Sequence, residues 1–159
     1  MKVEVFENFS LKFGVKLTFG GEMLVQRDGR FFLLNSNVNF LVRDDFFYAG
    51  IYLGKVIDGK VFPSFNLLDM LVKCEANRVV IGRKASWLFI CGRDVFRKSI
   101  LRIYGDVCRS EYVLVLNEFG ECLGFGKVLV GLSEYSDKNV VAVANVLDVG
   151  DFLRRERVV

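Results

Sequence analysis

Two Asp-Gly pairs, Asp28-Gly29 and Asp58-Gly59, each stand between apolar runs, and they restrict the fold of this chain more tightly than any other feature. Asp-Gly suits the type I′ turn of a two-residue β-hairpin, where both central residues need positive φ. One hairpin is therefore expected over residues 23–34 and a second over IYLGKVIDGKVFPSF (51–65), with NFLVR (39–43) supplying another strand between them. Pro63-Ser64 ends this antiparallel sheet. Ser64 can cap a helix whose apolar residues Leu67, Leu68, Leu71 and Val72 form one face, so that helix should lie on the sheet. The polar stretch KCEANR (73–78) then leads to a new strand at 79–81, which places a domain boundary between residues 1–76 and 77–159.

In the second half, Gly82 closes the strand, and the mostly apolar 85–91 reads as a short buried helix ended by Gly92, where glycine adopts positive φ cheaply. Residues 94–103 read as a strand in which Arg97-Lys98 breaks the alternation and implies a bulge or bend. YVLVLNEFGECLGFGKVLVG (112–131) is a hairpin turning at 117–120, and VVAVANVLDVG (140–150) is the last strand. Many short strands with few helices make the fold class α+β: a small N-terminal antiparallel α/β domain followed by a mixed β-barrel with a short helix.

Composition narrows the chemistry. The chain has 159 residues, 52% of them apolar, with 16 Phe and a single Pro, so it can bury a core and is not disordered. It contains no His, which removes Ser-His and Cys-His nucleophiles, His general bases and His-bound metals together. Cys74, Cys91, Cys108 and Cys122 form no C-x-x-C pair and read as small buried hydrophobes. Gly124, Gly126 and Gly131 are spaced wrongly for a dinucleotide loop and fit a barrel corner. The nearest carboxylate pairs, Asp44-Asp45, Glu118 with Glu121 and Asp148 with Asp151, lie beside turns or helix starts and read as caps. No catalytic residue, metal or cofactor is expected. No apolar run is long enough to span a membrane and MKVEVFENFS lacks a secretory core, so no membrane association and a cytoplasmic location are expected.

Charge is uneven along the chain. Residues 1–77 hold 9 basic and 9 acidic side chains and residues 78–159 hold 13 and 10, so the whole surplus of +3 lies in the second half. It gathers in two clusters, Arg93, Arg97, Lys98 and Arg102, and then Arg154, Arg155 and Arg157. Arginine's planar fork binds phosphate oxygens bidentately and stacks on bases, so such clusters suit RNA, although solvated strand faces and tails also carry them. Gly82-Arg83-Lys84 adds two cations before a helix N-terminus, which already favours anions. Trp87 fits either core packing or a stacking platform for a base.

Four blocks, SFNLLDML (64–71), ASWLFICGRDVF (85–96), LGFGKV (123–128) and DVGDFLRRER (148–157), resemble the Nip-seven family of large-subunit ribosome-biogenesis factors in its archaeal type, over Arg27 to Arg157. The resemblance implies that the second half is a PUA-type RNA-binding barrel and that the first is a pre-PUA α/β domain. It implies RNA binding without catalysis, through Arg154, Arg155 and Arg157 with Arg93, Lys98 and Lys84 in support. The implied partners are pre-rRNA or large-subunit rRNA, bound at single-stranded U-rich or AU-rich segments, and other ribosome-assembly proteins, with the chain itself monomeric. The alternative is a protein-interaction scaffold in ribosome assembly with little direct RNA binding.

Overall fold

The structure, a computed structural model, describes residues 2–20, 22–107, 111–132 and 137–155, without the side chains of Lys2, Phe152, Leu153 and Arg155. Both expected hairpins are present. Strands β1 (Glu22–Arg27) and β2 (Arg30–Asn35) join through Asp28 and Gly29 at φ of 50° and 73°, and β3 (Ile51–Ile57) and β4 (Lys60–Pro63) join through Asp58 and Gly59 at 50° and 74°. They form one antiparallel sheet in the order β1-β2-β3-β4.

The strand expected at 39–43 is absent. Ser36–Leu41 is instead a 3-10 helix, started by Asn35, whose side chain accepts from the Asn37 N–H at 2.9 Å. Phe40 and Leu41 point outward, so this segment has no buried face to hold a strand in register. Helix α2 (Phe65–Lys73) begins as expected: the Ser64 hydroxyl accepts from the Leu67 N–H at 3.3 Å and donates to the Tyr52 carbonyl at 2.6 Å. Leu67, Leu68 and Leu71 are fully buried beneath it.

A helix precedes the first hairpin, one that the sequence reading did not include. Helix α1 (Lys2–Leu11) buries Phe6 and Phe9, and the turn after it buries Phe13, a spacing of three and four residues that keeps all three rings on one side. Phe6 meets Phe31 of β2 edge-on at 5.2 Å between centroids, while Phe13 meets Phe125 of the second sheet at 5.4 Å. The Phe13 carbonyl accepts from the Asn77 N–H and the Lys12 carbonyl from the Tyr112 N–H, both at 2.9 Å.

The second sheet contains β5 (Arg78–Ile81), β6 (Val95–Phe96), β7 (Ile100–Tyr104), β8 (Tyr112–Leu116), β9 (Cys122–Val128) and β10 (Val141–Asp148). Their order is β6-β10-β9-β8-β5-β7, with β5 and β8 parallel and the other pairs antiparallel, a curled half-barrel of mixed type. The break foreseen at Arg97-Lys98 is a 3-10 turn, Arg97–Ser99, between β6 and β7. Gly124 sits at φ 146° where β9 runs closest to β10; a Cβ there would lie 1.9 Å from the Leu147 carbonyl oxygen.

Helices α3 (Arg83–Ile90) and α4 (Val149–Arg155) cover the barrel end. Helix α3 ends as expected, with Gly92 at φ 87°, but it is a surface helix and not a buried one. Only Phe89 is buried, because eight residues give one apolar contact stripe on β9 and β10 and leave Trp87 and Leu88 outside. Two of the cysteines likewise depart from expectation: Cys74 and Cys91 occupy the C-cap positions of α2 and α3, where helices reach the surface, and both are exposed, whereas Cys122 packs against the core and Cys108 lies outside the described residues.

The two sheets separate after β4, yet one core cluster joins them. Phe6, Phe9, Phe13, Leu53, Leu67 and Leu71 from the first half pack with Val80, Leu114, Leu116 and Phe125 from the second. Phe13→Ala should therefore cost about 3–5 kcal/mol, and urea unfolding followed by far-UV and near-UV signals should remain one coincident transition for both halves. Cys122, beside this core, has its thiol pushed up to about 12 from an ordinary 9.0, mainly by burial, with a backbone hydrogen bond at Gly124 opposing and the Asp69 charge adding. The folded chain then keeps a proton that the unfolded chain loses above pH 9, so stability falls as pH rises from 9 towards 12. Cys122→Ala should cut the stability lost between pH 8 and pH 10 by roughly 1 kcal/mol, measured by urea unfolding at both pH values.

Candidate nucleic-acid interface

Helix α3 starts at Gly82, which has no side chain to accept from the first-turn N–H groups. Arg83 and Lys84 follow and are exposed, and Trp87 stands one turn further on the same side, 66% exposed. Together with Ser86, Ile90, Asn117 and Leu123 they line a shallow cavity of about 690 Å³. Asn117 opens the β8–β9 turn and holds it, its Oδ1 accepting from the Phe119 and Glu121 N–H groups at 3.0 Å each. That turn carries the exposed ring of Phe119 at its tip. Among the described residues, Arg83 and Lys84 form no ion pair, so their charge is available to an anion. An aromatic face beside two cations and a helix N-terminus can stack one base and hold its phosphates.

The far end of α3 is organised by a buried carboxylate. Asp148, 2% exposed, accepts from Arg154 Nη2 at 3.0 and 2.8 Å, from Asn145 Nδ2 at 3.2 Å and from the Asp151 N–H at 3.0 Å. Arg154 Nη1 donates to the Ile90 carbonyl at 2.8 Å, and Asn145 Nδ2 to the Phe89 carbonyl at 2.8 Å. Both carbonyls belong to the last turn of α3, whose partial negative charge favours the guanidinium. The capping role read for Asp148 and Asp151 is thus present, within a larger network that fastens α3 and α4 to β10. Gly150 makes room for it, since a Cβ there would lie 2.0 Å from the Ile90 oxygen.

The six residues implied for RNA binding fall in different places. Lys84 is at the N-terminus of α3 and Arg93, exposed, just past its C-terminus, at opposite ends of a helix about 12 Å long. Arg154 is beside that C-terminus, but its guanidinium already serves Asp148 and Ile90. Lys98 belongs to the 3-10 turn between β6 and β7, its Nζ 5.6 Å from the Phe96 ring centroid. Arg155 is in α4 with its side chain outside the description, and Arg157 lies outside the described residues. Arg83, Trp87 and Phe119 were not in that set. Their sequence signal is the spacing of Arg83 and Trp87, one helical turn apart with Phe89 turned inward.

Residues 77–157 match the family model described as the UPF0113 PUA domain. A UPF0113 protein from Archaeoglobus fulgidus is 32% identical over 113 residues, 69% of this chain and 63% of that protein. A tRNA-guanine(15) transglycosylase from Methanobrevibacter smithii is 33% identical over 61 residues, which are 38% of this chain and 9% of the enzyme. The chain thus spans less than two thirds of the length of these relatives. Among solved structures, a conserved PUA-domain protein from Thermoplasma acidophilum superposes with a TM-score of 0.61 at 15% identity, covering 98% of this chain and 93% of its own. A hypothetical protein from Pyrococcus horikoshii gives 0.54 at 16%, over 96% and 92%.

Arg154→Ala would leave a buried carboxylate short of its strongest partner and should destabilise the fold by about 2–3 kcal/mol. Arg154→Lys should recover little of that, because an ammonium cannot supply the two-pronged contact. Urea midpoints of the two variants against the parent chain check both.

Proposed function

Because the chain belongs to the UPF0113 PUA-domain family, we propose that it is an RNA-binding factor of ribosome assembly, without chemistry of its own. It grips single-stranded U-rich or AU-rich segments of pre-rRNA or large-subunit rRNA through the half that follows residue 76. The observation that carries this reading is the exposed Trp87 with Arg83 and Lys84 around one cavity at the start of α3. A solvated tryptophan there contributes nothing to the core, while base stacking on an aromatic ring is worth about 1–3 kcal/mol. The transglycosylases that share part of this chain act, by their name, on tRNA, which supports RNA as the ligand. Arg93, exposed past the far end of α3, extends the basic surface, and for Lys98, Arg155 and Arg157 the RNA contact rests on the family resemblance alone. Arg154 contributes mainly by holding α3 and α4 in place.

The first half, residues 1–76, serves protein contacts. Phe40 is 81% exposed and Phe47 75%, with Leu41, Tyr48 and Ile51 also outside, an apolar surface of the kind that marks protein interaction. That surface equally favours the second reading, a monomeric scaffold that meets other ribosome-assembly proteins and binds little RNA.

Trp87 is the single tryptophan, so its fluorescence reports the site directly. A 12-nucleotide oligouridine should quench it, with affinity falling as salt rises, and Arg83→Ala with Lys84→Ala should flatten the salt slope by about 1.4, two phosphates at 0.7 each. Absence of both binding and quenching at low salt would leave the scaffold reading in force.

A further inference from the structure

A second, deeper cleft of about 630 Å³ opens where the two halves meet, between α1, the β3–β4 hairpin, β10 and α4. Phe9 and Phe125, both members of the shared core, line it together with Tyr112. Lys55 and Phe62 stand directly opposite each other on β3 and β4, Phe62 being exposed, and Lys60 is two pairs nearer the Asp58-Gly59 turn. Lys12, whose Nζ lies 5.1 Å from the Tyr112 ring centroid and 3.5 Å from Glu111, adds a third cation. Asp151 of α4 is the one carboxylate in the lining, and its Oδ1 is 3.9 Å from Arg154. Lys55 and Lys60 against one carboxylate, with Lys12 shared with Glu111 and aromatic walls behind them, select a ligand that is both flat and anionic.

We propose that this cleft holds an unstacked nucleotide of the same RNA strand that binds α3, its base against Phe62 and Tyr52 and its phosphates near Lys55 and Lys60. This rests on the RNA-binding reading above and adds a second contact point. The two places are joined through α4: Asp151 lines the cleft, and Arg154, three residues later on the same helix face, is fastened to the Ile90 carbonyl at the end of α3. The proposed strand runs from Trp87 along α3 to this network and on into the cleft. RNA single strands suit this path because their bases can be splayed out and stacked one by one on protein rings. The β3–β4 hairpin, which the sequence assigns no role beyond its turn, becomes the clamp on the far side.

The test uses the full chain with fluorescein-labelled oligouridines of 4 and 12 nucleotides, read both by anisotropy and by Trp87 quenching. Phe62→Ala should weaken the 12-mer about tenfold, and Lys55→Glu with Lys60→Glu should weaken it and lower its salt slope by about 1.4. The 4-mer should keep its affinity and its quenching in both variants. In the unaltered chain, a 12-mer carrying 4-thiouridine should crosslink to the segment containing Tyr52 and Phe62, an outcome independent of any variant's folding. Unchanged 12-mer affinity in both variants, with no crosslink in that segment, overturns the cleft while leaving the α3 site standing. Failure of both oligomers to bind or quench overturns the two together. Uridine monophosphate binding as tightly as the 12-mer, and lost with Lys55→Glu, would replace the RNA strand by a free nucleotide.

Discussion

Edge-on packing of Phe9 and Phe13 against Phe125 is the contact on which the rest of the molecule depends. Each such pair adds about 0.5–1.5 kcal/mol beyond the area it buries, but its larger effect is geometric. Phe13, in the turn after α1, also meets Tyr112 at 5.6 Å, while Phe9 and Phe6 within α1 meet Phe125 and Phe31, so α1 is gripped by both sheets at once. Without that helix the four-stranded sheet would have only α2 to shield it, and the half-barrel would expose Leu114 and Phe125. The angle between the halves, and with it the cleft that Phe9 and Phe125 line, follows from these rings.

The second organising element is electrostatic. Asp148 ends β10 inside the protein, and its oxygens receive donors from Asn145, Asp151 and Arg154. A buried carboxylate is tolerated only when its lone pairs are filled in this way. Because two of those donor side chains also reach carbonyls in the last turn of α3, the same charge sets where that helix ends. Arg93 leaves the helix at that point, and the orientation of Trp87, about one turn earlier in the same helix, is tied to it.

Local chemistry was readable from the chain wherever a single residue's needs decide the conformation. Asp28-Gly29 and Asp58-Gly59 demand positive φ, Ser64 offers a hydroxyl to a helix start, and Gly92 ends one. Helix α1 was missed because its aromatic spacing has meaning only against Phe31 and Phe125, far along the chain. Periodicity placed Trp87 and Phe89 on different sides of α3 without telling which side meets the sheet, since an eight-residue helix is apolar on both. NFLVR has strand-forming composition, yet Asn35 turns the chain before those residues can pair. The most consequential case is Arg154. Within DVGDFLRRER it is one arginine of three, and only convergence with Asp148 and the Ile90 carbonyl gives it a structural duty.

The position of α1 along the chain has a consequence for how the protein comes into being. Synthesis runs from the N-terminus, so Phe9 and Phe13 are made long before Tyr112 and Phe125, the rings that cover them. Closing a loop of roughly a hundred residues carries an entropic cost that local contacts do not face. The first sheet can form early around α2, but its neighbouring helix keeps a bare aromatic face until β9 has been made. A nascent chain stalled before that point would leave Phe9 and Phe13 without the rings that cover them.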